Sequence, residues 1–127
     1  INVWSALVPA RRENGCMQFV PGTHKLGVVE HLKKEFYLEL APEILEEYEP
    51  QAIDIELDPG DVVLFHNLLF HRGLPNLTDK IRWSLDCRYQ DAHQDTLRDE
   101  IGHLARSQSQ PGKVISSDTE WANATFI

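Results

Sequence analysis

A chain of 127 residues is long enough for one hydrophobic core but not for two. Its 20 acidic residues against 12 basic ones give a formal charge of -8, which disfavours binding to nucleic acid or to an anionic membrane surface. No apolar run is long enough to span a bilayer and no signal peptide is recognisable, so the sequence predicts a cytoplasmic protein with a single domain over residues 1–127.

The first eight residues, INVWSALV, alternate as a strand does, and Asn2 and Trp4 share one of its two faces. Because the strand pattern starts at once, with Ile1 instead of Met, we expect an N-terminally truncated fragment. Asn14-Gly15 then predicts a hairpin turn into a second strand, CMQFV. The chain therefore opens as a predicted β-meander.

Residues 23–50 are acidic and partly amphipathic, which predicts a helix-containing insertion of the kind that covers active sites as a lid. Strand signals return at residues 52–57. After a Pro-Gly-Asp turn, residues 62–65 are apolar enough to predict burial on both faces.

The run IRWSLDCRY alternates again, with Arg82, Ser84, Asp86 and Arg88 on one face. From residue 91 onward the chain is a polar tail with helical periodicity in TLRDEIGHLA. The prediction is a mainly antiparallel β domain of five or six strands, with core strands over about 1–20 and 52–90. Its two cysteines, Cys16 and Cys87, are expected to be reduced thiols.

His71 and Arg82 lie near opposite ends of one short segment. An open sheet with a solvated polar face would explain both residues. However, His71 follows the apolar run NLLF, which predicts a sheltered imidazole, and Trp83 and Leu85 predict that the strand after Arg82 is covered on both sides. A sheltered guanidinium needs an anion, and its planar fork suits a carboxylate.

Three segments, ENGCMQFVPGTHK, PGDVVLFHNLLFHRGLPN and IRWSLDCRY, resemble in this order the phytanoyl-CoA dioxygenase family. The resemblance implies a non-haem Fe(II), 2-oxoglutarate-dependent oxygenase. It also implies a double-stranded β-helix, the jelly roll also found in cupin-like proteins, which is incomplete here. In such enzymes two histidines and one carboxylate hold the iron, leaving three positions for 2-oxoglutarate and dioxygen.

Residue by residue, the resemblance makes His71 the distal iron ligand and Arg82, eleven residues later, the partner of the far carboxylate of 2-oxoglutarate. It makes Asn2 and Trp4 part of the co-substrate pocket beside the metal. It assigns no catalytic residue beyond the metal ligands.

Two further histidines receive other roles. His24, in the PGTHK turn, is interpreted as structural, and His66 as a structural or second-shell group.

The sequence departs from the family pattern in three ways. Gly73 replaces a small hydroxyl residue that helps many relatives to bind 2-oxoglutarate. The His-x-Asp pair that supplies the other two ligands is expected upstream of Ile1. His93-Gln94-Asp95 matches the His-x-Asp motif, but it follows the strand that contains Arg82 and lies in a polar segment, so we interpret its side chains as solvated.

These departures predict a fragment that binds iron(II) weakly, is inactive alone and associates with itself through exposed sheet edges. The activity implied by the resemblance is hydroxylation of a small organic substrate, and the acidic chain disfavours a polyanionic acyl-CoA. The alternative is a non-catalytic jelly-roll or cupin-like module that binds a small molecule or a metal. Arg82 argues against it, because a plain cupin-like binder needs no such arginine.

Overall fold

The computed structural model describes residues 1–35, 38–91, 93–94 and 103–123. The chain divides into two compact units, Ile1–Arg88 and Tyr89–Ile127. The first unit contains eight described strands and one α-helix: β1 (Asn2–Ala6), β2 (Met17–Phe19), β3 (His31–Lys33), β4 (Leu38–Leu40), α1 (Pro42–Tyr48), β5 (Ile53–Ile55), β6 (Val62–Phe65), β7 (His71–Gly73) and β8 (Ser84–Arg88). The prediction of a mainly β protein is confirmed.

Two three-stranded antiparallel sheets make up most of the first unit. The first sheet has the order β6-β1-β8 and the second has the order β5-β2-β7, while β3 and β4 form a separate hairpin. Both sheets place their central strand early in the chain and recruit flanking strands from much later in the sequence. Their contacts are therefore long-range.

The hydrophobic core lies between the inner faces of the two sheets. Trp4, Ala6 and Phe65 enter it from the first sheet, and Phe19 enters it from the second. The rings of Phe19 and Phe65 are 4.6 Å apart, centre to centre. Alternation in β1 explains this packing, because every second residue of a strand points to the same face.

The predicted hairpin between the first two strands is wrong, because β1 and β2 belong to different sheets. Residues 12–14 form a 3₁₀ turn that Gly15 ends in the left-handed conformation, at φ 88° and ψ 49°. An isolated antiparallel bridge between Ala10 and Leu57 also holds the segment that connects β1 to β2. The left-handed glycine that suggests a hairpin here ends a 3₁₀ turn instead.

Two predictions of burial on both faces are also wrong. In β6, Phe65 is buried, but Val62 and Leu64 are 53% and 65% exposed. Trp83 and Leu85, expected to cover the far side of the last strand, are 60% and 54% exposed. The outer face of the sheet β6-β1-β8 is thus apolar in composition and solvent-exposed in this chain.

The segment 23–50 contains the expected helix, α1, and also the β3-β4 hairpin, which was not predicted. In the second unit, the helix expected in TLRDEIGHLA falls largely on residues 95–102, outside the described residues. Its described helix is α2, Asp118–Asn123. Within the described ranges no helix combines the length and the apolar character needed to cross a membrane.

Candidate functional site

His71 lies in β7 on the inner face of its sheet, directly opposite Phe19 in the register. Its ring is 4.9 Å from the ring of Phe65 and 6.2 Å from that of Phe19, centre to centre. The side chain is nevertheless exposed, so the predicted sheltered imidazole is wrong for this chain. Aromatic rings cover one side of the imidazole and leave another side open.

One hydrogen bond defines the chemistry of this imidazole. His71 Nδ1 lies 2.7 Å from the carbonyl oxygen of Leu69. A carbonyl can only accept, so Nδ1 carries the proton in this hydrogen bond and the neutral ring has its lone pair on Nε2. Metal-binding histidines are held in the same way, with one nitrogen bonded to an oxygen and the other free for the metal.

Arg82 is half-buried and lies two residues before the start of β8. Its Nη1 donates to Ser84 Oγ at 2.8 Å, and its guanidinium carbon is 5.4 Å from the centre of the Trp4 ring. Among the described residues no carboxylate lies within ion-pair distance of it. This cation stacked on an aromatic ring is therefore available to an anion.

A cavity of about 380 Å³ adjoins this guanidinium. Six of its eight lining residues are of polar type, and all but one come from the loop between β7 and β8, the other being in the 3₁₀ turn: Asn14, Leu74, Asn76, Thr78, Asp79, Lys80, Ile81 and Arg82.

Asn2 and Trp4 lie on the inner face of β1, only 7% and 3% exposed. Asn2 pairs with Phe65, whose ring contacts His71, whereas Ala6 pairs with Ser84, which contacts Arg82. On the inner face, the imidazole of His71, the side chains of Asn2 and Trp4 and the guanidinium of Arg82 therefore follow one another, and we call this arrangement the row. Its part from Asn2 to Ala6 is about 13 Å long at the usual rise of a strand.

The remaining predicted histidines lie elsewhere. The rings of His24 and His66 are 5.6 Å apart, and His66 Nδ1 accepts the backbone N–H of Leu68 at 3.1 Å. Neutral His66 thus carries its proton on Nε2, the tautomer opposite to that of His71. His93 is exposed, and Asp95 lies outside the described residues, so the His-x-Asp interpretation stays a prediction.

Sequence reasoning missed two partners of the site. The carbonyl of Leu69 leaves no trace in a pattern of side chains. Ser84 could have been found, because it follows Arg82 by two residues on the same face of the predicted strand.

Gly73 stands where many relatives have a small hydroxyl residue. A Cβ atom at Gly73 would have no heavy atom within 4 Å, so lack of space does not explain the glycine.

The fold and these residues define a class: an antiparallel β protein whose inner sheet face carries an imidazole hydrogen-bonded through Nδ1 and a guanidinium with no carboxylate partner among the described residues. The sequence profile of the phytanoyl-CoA dioxygenase (PhyH) family matches residues 1–84. The chain belongs to this family.

Curated relatives agree with the profile. The chain is 33% identical over 121 residues to a "Probable phytanoyl-CoA dioxygenase" of Caenorhabditis elegans, covering 83% of this chain and 38% of the relative. It is 42% identical over 90 residues to "Dioxygenase lolE1" of Epichloe uncinata, covering 70% and 33%. It is 32% identical over 93 residues to the human "Phytanoyl-CoA dioxygenase, peroxisomal", covering 70% and 28%. The match thus spans well under half of each relative's length.

Proposed function

We propose that this chain supplies part of the active site of an Fe(II)- and 2-oxoglutarate-dependent dioxygenase with a double-stranded β-helix (jelly-roll) fold, acting on a small organic substrate. The observation that supports the proposal is the row on the inner sheet face. His71 presents a free Nε2 at one end, Arg82 is an available cation near the other, and Trp4 lies between them.

The donor chemistry fits one iron ligand. Imidazole suits Fe(II), and the Leu69 carbonyl already holds His71 in the required tautomer. Within the described part of the chain, however, no group of three His, Cys, Asp or Glu side chains could hold a metal ion. We therefore propose that the other ligands come from outside the described residues, and that the chain alone binds iron(II) weakly and turns over no 2-oxoglutarate.

The chain's own residues would bind and orient the co-substrate. Arg82 suits the far carboxylate of 2-oxoglutarate, because a guanidinium can donate two parallel hydrogen bonds to it. Trp4 forms an apolar wall along the row and excludes water from that side. Bound iron would supply the redox chemistry with dioxygen, and the protein contributes ligation, orientation and the exclusion of water.

A second candidate is a non-catalytic jelly-roll module that binds a small molecule or a metal in the same place. The lack of a three-ligand group among the described residues favours it. Arg82 favours the dioxygenase.

The first test titrates the chain with Mn(II), a redox-stable substitute for Fe(II), and then with 2-oxoglutarate, while NMR signals are followed. Mn(II) should broaden the signals of His71 and its aromatic neighbours first, and His71→Ala should remove this effect. Arg82→Leu should weaken 2-oxoglutarate roughly five- to thirtyfold, the loss expected for a hydrogen bond to a charged group that is only half-buried.

Matched variants control this titration. His31→Ala removes an exposed histidine of the β3-β4 hairpin, and Lys33→Ala removes an exposed cation of the same hairpin. Both should behave like the unaltered chain. Broadening that survives His71→Ala, or 2-oxoglutarate affinity that survives Arg82→Leu, would remove that residue from the site.

Turnover separates the two candidates. We expect a chimera with residues 1–88 in place of the matching segment of the Caenorhabditis elegans relative to convert 2-oxoglutarate to succinate. His71→Ala in the chimera should abolish this conversion. A folded chimera that binds metal and 2-oxoglutarate but forms no succinate would favour the non-catalytic module.

We also propose that the chain associates with itself. The outer face of the sheet β6-β1-β8 exposes Val62, Leu64 and Leu85, and among the described strands β6 and β8 have neighbours on one side only. Exposed apolar faces and unpaired edges favour pairing with another chain.

Light scattering tests this association. The chain should have a mass above that of a monomer, and Leu64→Asp combined with Leu85→Asp should reduce it. Val28→Asp, a substitution at another exposed apolar position, should not. A monodisperse monomer would contradict the proposal.

For localisation we propose the cytoplasm, a reducing compartment, because both cysteines are free thiols. Burial raises the pKa of Cys16, which further protects that thiol from oxidation. Imaging of a tagged chain in cells tests this, and a secreted product would contradict it.

A further inference from the structure

A chain of polar side chains crosses the outer face of the sheet β5-β2-β7, on the opposite side from His71. We call it the polar belt. Its members come from five separate segments of the chain: Arg12, Asp54, Gln18, Arg72 and Glu49.

Gln18 is the centre of the polar belt. It lies opposite Asp54 on one side and Arg72 on the other in the strand register. Its Nε2 donates to Asp54 Oδ1 at 2.6 Å, and its Oε1 accepts from Arg72 Nε at 2.8 Å. The amide is thus oriented from both sides, and Gln18 is only 6% exposed.

The two ends of the polar belt are ion pairs. Arg12 pairs with Asp54, and Arg72 Nη2 lies 2.7 Å from Glu49 Oε1. Hydrogen bonds from Gln18 and Arg12 hold the pKa of Asp54 below its ordinary value, so this carboxylate stays charged at neutral pH. Exposed ion pairs alone stabilise a fold little, whereas a buried amide held between them fixes geometry.

The polar belt reaches the strand of His71 at its neighbour, Arg72. On the other side of His71, Phe70 is 7% exposed and meets the ring of Tyr48 edge-on, with the ring centres 5.5 Å apart. Both residues that flank His71 therefore contact the same short segment, Tyr48 and Glu49. In the described sheet β7 has three residues and pairs with β2 alone. From outside the sheet, these two contacts support β7 on the side of Arg72, while the ring of Phe65 packs on His71 from the inner side.

We propose that Arg72, held by Gln18 and Glu49, is a positioning residue for His71. Because side chains alternate along a strand, fixing Arg72 on the outer face fixes His71 on the inner face. The imidazole is thereby kept within reach of the Leu69 carbonyl, and its lone pair stays on Nε2. The relevance to metal binding rests on the proposed function, but the effect on the imidazole does not.

The experiment records the imidazole nitrogens of His71 in the ¹⁵N-labelled chain, using the ¹⁵N shifts that distinguish the two tautomers. In the unaltered chain the form with Nδ1 protonated should dominate. Arg72→Ala should lower its ratio to the other form roughly fivefold, the effect of losing one ordinary hydrogen bond. Arg72→Lys, which keeps the charge but not the fork that reaches both Gln18 and Glu49, should give an intermediate ratio.

Arg11→Ala is the matched control, because it removes an arginine that is paired with Asp58 outside the polar belt. It should leave the ratio unchanged, even if it lowers stability as much as Arg72→Ala does. If Arg72→Ala does not fold, Glu49→Gln removes only the outer link and should move the same signals in the same direction. An unchanged ratio in the folded variants overturns the inference.

Mn(II) broadening in the same samples separates this inference from the proposed function. If the tautomer ratio shifts but His71 never responds to Mn(II), Arg72 positions the imidazole and the metal-ligand assignment fails. If His71 responds to Mn(II) but its ratio ignores Arg72, the metal-ligand assignment stands and the positioning role fails.

Discussion

Replacing Trp4 with alanine is expected to lower the free energy of unfolding by about 3–5 kcal/mol. Trp4 is 3% exposed in the core between the two sheets, so its removal leaves a cavity that the surrounding strands can fill only in part. A domain of this size has a total stability of only about 5–15 kcal/mol, so the loss is a large share of it. Denaturant unfolding followed by circular dichroism measures the change.

Trp83 provides the matched control, since the same substitution there removes an indole that is 60% exposed. At a concentration where the chain is monomeric, Trp83→Ala should change the unfolding free energy by no more than about 0.5 kcal/mol. Equal losses at the two tryptophans would contradict the assignment of Trp4 to the core, and a larger loss at Trp83 would mean that the sheet faces are assigned the wrong way round.

The second large effect is expected at Gly15. Its φ of 88° is rarely adopted by other residues, and a Cβ atom there would lie 2.6 Å from the backbone oxygen of Leu74. Alanine at this position should cost about 1–2 kcal/mol for the left-handed backbone and more for moving the Leu74 segment, in total about 2–4 kcal/mol. Thermal or denaturant unfolding measures it.

Gly22 separates these two causes. It has nearly the same φ, 86°, but a Cβ atom there would meet nothing within 4 Å. Gly22→Ala should therefore show the backbone cost alone, about 1–2 kcal/mol. If both variants lose the same amount, the close approach of Leu74 contributes nothing.

The faces of the strands could be predicted from the sequence because alternation is a local property. Asn2 and Trp4 do point inward together, and Asp86 lies beside Trp4 in the register, on the face that the sequence assigned to Arg82. What alternation cannot say is whether anything covers the other face. Leu64 and Leu85 are as apolar as core residues, yet exposed in this chain.

The candidate site was predictable in its residue types but not in its geometry. His71 and Arg82 are recognisable from the family pattern. In contrast, the tautomer of His71 depends on a backbone oxygen, and the position of the Arg82 guanidinium depends on the ring of Trp4, 78 positions away in the sequence. The polar belt is equally invisible, because Gln18 meets Asp54 and Arg72 across 36 and 54 positions of sequence. Local patterns carry no information at such separations.

The order of strands in the first sheet has a consequence for synthesis on the ribosome. β1 is the central strand, but its partners β6 and β8 lie about 60 and 80 residues later in the chain. At roughly 5–20 residues per second, on the order of 4–16 s separate the end of β1 from the end of β8. Among the described strands, none pairs with β1 in this sheet until β6 emerges, and one edge of β1 stays unpaired until β8 emerges. A chain that stalls before residue 84 is therefore expected to be a preferred target of chaperones and proteases.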